Sequence, residues 1–175
     1  GTWTNFPATN TNLKVLARLD WNINDAHKLA VRYNYTINKV WKMANASSMD
    51  GGSRSSFARF SEYGMSYVNS LYSQDNLATS VTLDLNSRFT DNLHNQFLAT
   101  FSKLDDMRGT NSEDFPFIDI RNDDGSAVLP YISLGYELFT WNNGVHNNNI
   151  LIKDDLTYYA GNHKITGGVS YEYQM

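Results

Sequence analysis

The stretch Leu13-Lys14-Val15-Leu16-Ala17-Arg18-Leu19-Asp20-Trp21-Asn22-Ile23, the link Asn24-Asp25-Ala26-His27 and the run Lys28-Leu29-Ala30-Val31-Arg32-Tyr33-Asn34-Tyr35-Thr36-Ile37-Asn38 decide the fold. Successive side chains of a strand point to opposite faces. Leu13, Val15, Ala17, Leu19, Trp21 and Ile23 therefore share one face, and Lys14, Leu16, Arg18, Asp20 and Asn22 the other. In the second run Leu29, Val31, Tyr33, Tyr35 and Ile37 alternate with Ala30, Arg32, Asn34, Thr36 and Asn38. Two alternating runs joined by a short polar turn read as a hairpin of two-sided strands.

The design returns twice. Leu77, Val81, Leu83, Leu85 and Phe89 alternate with Ala78, Ser80, Thr82, Asp84, Asn86 and Arg88. After the turn Thr90-Asp91-Asn92, Phe97, Ala99 and Phe101 oppose Gln96, Thr100 and Ser102, with Leu98 interrupting the polar side. A third hairpin covers residues 150–159, turns at Ala160-Gly161-Asn162, and returns with Ile165, Val169, Tyr171 and Tyr173 opposite Lys164, Thr166, Ser170 and Glu172. Asp154 shares its parity with Ile150, Ile152, Leu156 and Tyr158, so it marks either a bulge or a special position.

The connections separate a membrane barrel from a soluble sandwich. Turns within hairpins are short, whereas residues 41–76 and 108–148 separate one hairpin from the next. A sandwich repeats its turn signals every 8–12 residues or so, while membrane barrels combine short periplasmic turns with long extracellular loops. The runs of about 10–13 residues also exceed the globular mode of roughly 5–6. At about 3.3 Å per residue and a tilt near 40°, about 12 residues rise roughly 30 Å, enough to cross an outer membrane. The expected fold is all-β, an antiparallel transmembrane β-barrel, with about six long strands (three hairpins) of a larger barrel. Residues 1–175 then form part of one barrel domain, with 41–76 and 108–148 as extracellular loops and the turns at Asn24, Asp91 and Gly161 facing the periplasm. Trp21, Phe89, Tyr158 and Tyr159 at one end, and Tyr35, Trp41 and Tyr173 at the other, are expected in interfacial girdles.

Composition agrees. Aromatic residues make up 14% of the 175 and charged residues only 18%. Mean hydropathy is −0.47, so the chain is polar through Asn, Ser and Thr rather than through charge. A net charge of −4 without a basic stripe gives no footprint for nucleic acid. The lack of cysteine removes disulfides, thiolate metal sites and cysteine nucleophiles.

Three segments carry a family resemblance: residues 19–35; Leu85-Asn86-Ser87-Arg88-Phe89-Thr90-Asp91-Asn92-Leu93-His94-Asn95; and Asp154-Asp155-Leu156-Thr157-Tyr158-Tyr159-Ala160-Gly161-Asn162-His163-Lys164-Ile165-Thr166-Gly167-Gly168-Val169. In this order, separated by long loops, they resemble barrel hairpins of TonB-dependent outer-membrane receptors of the Bacteroidota type. These carry a carboxypeptidase-regulatory-like domain, as in the Oar-like branch and more distantly the SusC-like branch. The resemblance implies a barrel of about 22 strands closed by a plug, energised by the TonB complex, in the outer membrane of a Gram-negative bacterium. It also implies contact with outer-membrane lipid and a possible surface lipoprotein partner. The chain is expected to be an internal fragment, with the plug domain outside it.

Several chemistries find no support. His27, His94, His146 and His163 are scattered, without a second ligand at metal-binding spacing. No Gly-x-Ser-x-Gly elbow occurs, so no catalytic, cofactor-binding or metal residue is assigned and the chain is not expected to be an enzyme. Asp123-Asp124-Gly125-Ser126 reads as a turn rather than a calcium loop. The candidate contact residues are Arg18, Arg32, Asp84, Arg88 and Lys164 on the polar face. They would guide a solute or hold the plug, although a polar interior is expected of any barrel. The loop aromatics Tyr131, Tyr136, Phe139 and Trp141 would stack on a sugar, pack on a partner, or pack with one another. Fold alone does not separate active uptake of a bulky solute from a passive porin, and a soluble β-rich adhesin is the remaining alternative.

Overall fold

With no helix long and apolar enough to cross a membrane among the described residues, a spanning role falls to strands, and the computed structural model supplies them. It describes residues 9–44, 64–123 and 128–175. Six strands, β1 (Thr11–Asn22), β2 (His27–Lys42), β4 (Tyr72–Arg88), β5 (Leu93–Thr110), β8 (Gly144–Ala160) and β9 (His163–Gln174), form one open antiparallel sheet in the order β1-β2-β4-β5-β8-β9. A three-stranded sheet, β3-β7-β6, is made of β3 (Met65–Ser66), β6 (Ile118–Asp123) and β7 (Val128–Leu134). The chain divides into two compact units. A sheet unit holds residues 12–37, 76–105 and 145–175, and a loop unit holds 1–11, 38–75 and 106–144.

The turns of the sheet unit follow from local side-chain chemistry. The Asn24 amide oxygen accepts from the backbone N–H groups of Ala26 and His27, both at 2.9 Å. The Thr90 hydroxyl does the same for Asn92 and Leu93, at 3.3 and 3.0 Å. Both are short polar side chains at the head of a turn, satisfying N–H groups two and three residues on. The third turn uses Gly161 at φ +57°, a conformation that suits glycine in a tight hairpin between Ala160 and His163.

The apolar face is the exposed one. Among the described residues the buried hydrophobics are only Ala30, Ala44, Leu71 and Tyr72, while Leu19 is 67% and Val169 75% exposed. Leu13, Val15, Trp21, Val81, Leu83, Phe101, Ile152, Leu156 and Ile165 lie open with them. Water would penalise such a surface by about 25 cal/mol per Å²; hydrocarbon does not. The polar face is instead cross-linked strand to strand. Asp84, nearly buried, pairs with Arg32 at 3.4 Å and accepts from Asn86 at 2.9 Å and Gln96 at 3.0 Å. Asn34 donates to Ser80 at 3.1 Å, Thr82 meets Thr100 at 3.1 Å and Thr157 meets Thr166 at 2.9 Å.

Two sequence expectations change in detail. The strands run further than the alternating pattern: β4 begins at Tyr72 and β8 at Gly144, inside the expected loops. Apart from Tyr72, Gly144 and Val145 those added residues are polar, so they carry no alternation of apolar and polar side chains. Tyr159 is not in a girdle, because it lines the polar face and packs edge-on against His94 at 5.4 Å. Trp21, Phe89 and Tyr158 do lie exposed on the apolar side near the turns.

The Asp154 question has an answer. The β8–β9 register is unbroken from Asn149↔Gln174 to Ala160↔His163, so no bulge turns Asp154 away. It stays among the outward residues, opposite Val169, and accepts from the Asn95 side-chain amide of β5 at 2.6 Å. Asn95 also donates to the Asp155 carbonyl at 3.2 Å. Replacing Asn95 by Ala strands an acceptor on the apolar face and should destabilise the folded protein by about 1–3 kcal/mol. Asp154→Leu, which continues the apolar row, should be neutral or stabilising. Urea titration in detergent with gel-shift readout compares the two; equal midpoints for wild type and Asn95→Ala would show that the bond does not matter.

Candidate functional site: an aromatic slot and a charged wall

Residues of both long connections fold together in the loop unit. β3, from residues 41–76, pairs in parallel with β7, from residues 108–148, through Met65↔Ile132 and Ser66↔Ser133. β6 and β7 pair antiparallel, with a register shift between Ile120 and Arg121 where the partner is Pro130, which has no N–H to donate. The Tyr67 N–H donates to the Ser133 carbonyl at 2.9 Å, and the Gly135 N–H to the Asn69 side chain at 3.2 Å. Gly135, at φ +99°, lies so close to the Pro116 carbonyl that no Cβ fits.

A tight turn beyond β7 is built around Glu137, whose residue is only 1% exposed. Its carboxylate accepts from the Phe139 N–H at 3.0 Å and the Thr140 hydroxyl at 2.7 Å, and it faces Arg108 at 3.7 Å. The Arg108 guanidinium lies over the Tyr72 ring at 4.4 Å, and its backbone N–H donates to the Asn143 carbonyl at 3.0 Å. A buried carboxylate with a cation and two donors holds the turn in register.

This turn presents one wall of an apolar slot of about 450 Å³, lined by Phe115, Pro116, Phe117, Tyr136, Leu138 and Trp141, with Asp114 and Glu137 at its polar margin. Tyr136 and Trp141 meet edge-to-face at 5.4 Å and 67°. Trp141 is 60% exposed, so much of its ring remains open for contact. Of the four loop aromatics expected from sequence, two build the slot; Tyr131 and Phe139 are exposed and do not line it. Phe115 and Phe117 complete it. Glu137 and Arg108 were not legible as an anchor, because a lone Glu in a polar loop carries no sign of burial.

The five charged candidates of the polar face are not one cluster. Arg32 and Asp84 neutralise one another, and Arg18 forms a two-pronged pair with Asp20 at 2.7–3.0 Å on its own strand. Arg88 and Lys164 instead line a second concavity, of about 560 Å³, together with Lys28. The expected turn at Asp123–Ser126 falls largely outside the described residues.

A sheet of long strands with an exposed apolar side, a cross-linked polar side, short capped turns and long folded connections defines the wall of a transmembrane β-barrel. The chain belongs to the outer membrane beta barrel domain family, whose family model matches residues 2–175. This places the protein in the outer membrane of a Gram-negative bacterium. No curated protein and no solved structure matches the chain.

The Arg108–Glu137 anchor makes a separable prediction. Glu137→Ala removes the acceptor for two donors and leaves a partly buried guanidinium without its partner, a loss of about 3–5 kcal/mol in such settings. Limited proteolysis should then cut between residues 111 and 144, while the six long strands stay protected and the protein keeps its heat-modifiable gel mobility. Unchanged protection of that segment would show that the turn does not depend on Glu137.

Proposed function

We propose that the chain is part of a TonB-dependent transporter that takes up a bulky solute across the outer membrane, and that it is not an enzyme. On this reading the sheet unit supplies barrel wall, the turns at Asn24, Asp91 and Gly161 face the periplasm, and the loop unit faces outside. The observation that carries the reading is the aromatic slot. Two long connections fold jointly around an anchored turn and hold Trp141, Tyr136, Phe115 and Phe117 around an open apolar space. Such a device suits capture of a scarce solute with a flat apolar face, such as a sugar ring or a peptide side chain, better than it suits diffusion of small solutes. The resemblance of the three hairpins to TonB-dependent receptors supports the energised mechanism. Tyr131 and Phe139, exposed outside the slot, suit contact with a surface lipoprotein.

Two measurements on the whole protein separate this from a passive porin. Site-specific photo-crosslinking in cells should join the protein to TonB, and proteoliposomes containing it should not swell in arabinose. Free swelling without a TonB crosslink would replace the uptake reading by the porin one.

A further inference from the structure

The polar face pairs several of its charges and gathers three unpaired cations at one place. Arg18 is held by Asp20, Arg32 by Asp84, and Lys153 by Asp155 at 2.6 Å. Among the described residues Lys28, Arg88 and Lys164 form no ion pair, and all three line the concavity of about 560 Å³ at the short-turn end of the sheet unit. We propose that this concavity is a binding site for a small multivalent oxyanion, a phosphate ester or a polycarboxylate, on the inner wall of the barrel.

The backbone brings the three cations to one place. Lys28 stands one residue past the Asn24-capped turn, at the start of β2. Arg88 ends β4, and its N–H donates to the Ala26 carbonyl at 2.7 Å, which ties it to that turn. Lys164 pairs with Tyr159 across the third hairpin, and the Tyr159 N–H reaches back to the Asn92 carbonyl at 2.9 Å. The short turns thus set the separation of the cations, with no side-chain bond needed.

The rest of the lining suits an oxyanion. Asn86 and Gln96 each give one amide N–H to Asp84 and keep a second beside the cations. Thr157 and Thr166 share one hydrogen bond at 2.9 Å, so the hydroxyl that accepts keeps its own proton free to donate. Of the two lining acids, Asp155 is already held by Lys153, which leaves Asp25 in the first turn as the one free carboxylate. The volume lies within the range of roughly 300–1,000 Å³ usual for small-molecule sites. Lys14 on β1 also forms no ion pair, but it lies outside the concavity that gathers these three. The site needs only that the polar face is the inner one, so it stands whether transport is energised or passive.

Calorimetric titration of the detergent-purified whole protein with pyrophosphate and with citrate tests the proposal. Wild type should bind at least one of them, and Arg88→Gln with Lys164→Gln should weaken that binding by about tenfold or more, as expected for charge-assisted bonds. Lys14→Gln, which removes the same charge on β1 away from the concavity, should bind as wild type does. If the double variant loses its folded gel mobility, Lys164→Gln alone is read in its place. Failure of wild type to bind either anion overturns the proposal, including the case in which an acidic polypeptide segment already fills the concavity. Equal binding by the variants overturns it too, and leaves uptake through the aromatic slot unaffected.

Discussion

Hydrocarbon offers no water to a peptide group, so every backbone N–H and C=O of a spanning segment must find its partner in a neighbouring strand. The third hairpin meets this demand with a register that does not slip between Asn149↔Gln174 and Ala160↔His163. At the turns, Arg88 N–H to Ala26 and Tyr159 N–H to Asn92 carry the pairing from one hairpin to the next. Once the backbone is satisfied this way, side chains need only divide by face. That is why a sheet with almost no buried hydrophobic residues is nevertheless ordered, with Asp84 as a polar hub for three strands. The same constraint gives Asp154 its partner, since an outward carboxylate must be hydrogen-bonded when its neighbours are Ile152 and Leu156.

The loop unit obeys a different rule. Its apolar core is small, and its most buried side chains are polar: Glu137, Ser70, Ser73 and Ser133. Ser133 donates to Asp119 at 2.7 Å and Ser70 to the Tyr67 carbonyl at 2.7 Å. Groups of this kind gain little net energy on burial, but each is costly if its partner is missing, so they select one arrangement over its near alternatives. A slot that must keep Trp141 open to contact needs that kind of support, because the ring itself contributes little to holding the turn.

How much of this was legible in the sequence follows from the range of each interaction. Alternation is local, and it located all six long strands and their faces, from Leu13 through Tyr173. Turn chemistry is local too, and Asn24, Thr90 and Gly161 stand where the turns form. The extension of β4 through Ser73, Gln74 and Asp75 escaped notice because three successive polar residues show no alternation; there Lys42 donates to Gln74 at 2.6 Å and Lys39 pairs with Asp75 at 3.3 Å. The pairing of β3 with β7 joins two connections far apart in the chain, and its two residues, Met65 and Ser66, hold no periodic signal. Asn95 and Asp154 likewise look unrelated until β5 and β8 lie side by side. Tyr159 was misassigned on its position near the strand end, although alternation sets it opposite Tyr158, which shares its face with Ile152 and Leu156.

Charge pairing divides the polar face into two kinds of residue. Arg32, Asp84, Arg18, Asp20, Lys153 and Asp155 complete one another, so their presence is explained by the wall and says nothing of what passes it. Lys28, Arg88 and Lys164 have no such explanation, and neither has the open ring of Trp141 in the loop unit. Interactions left incomplete by the fold are where a ligand gains most, since binding there satisfies groups that the protein has already positioned and does not have to release from one another. Polarity alone marks most of this chain as able to touch a solute. The smaller set that the fold leaves unsatisfied marks where touching would matter.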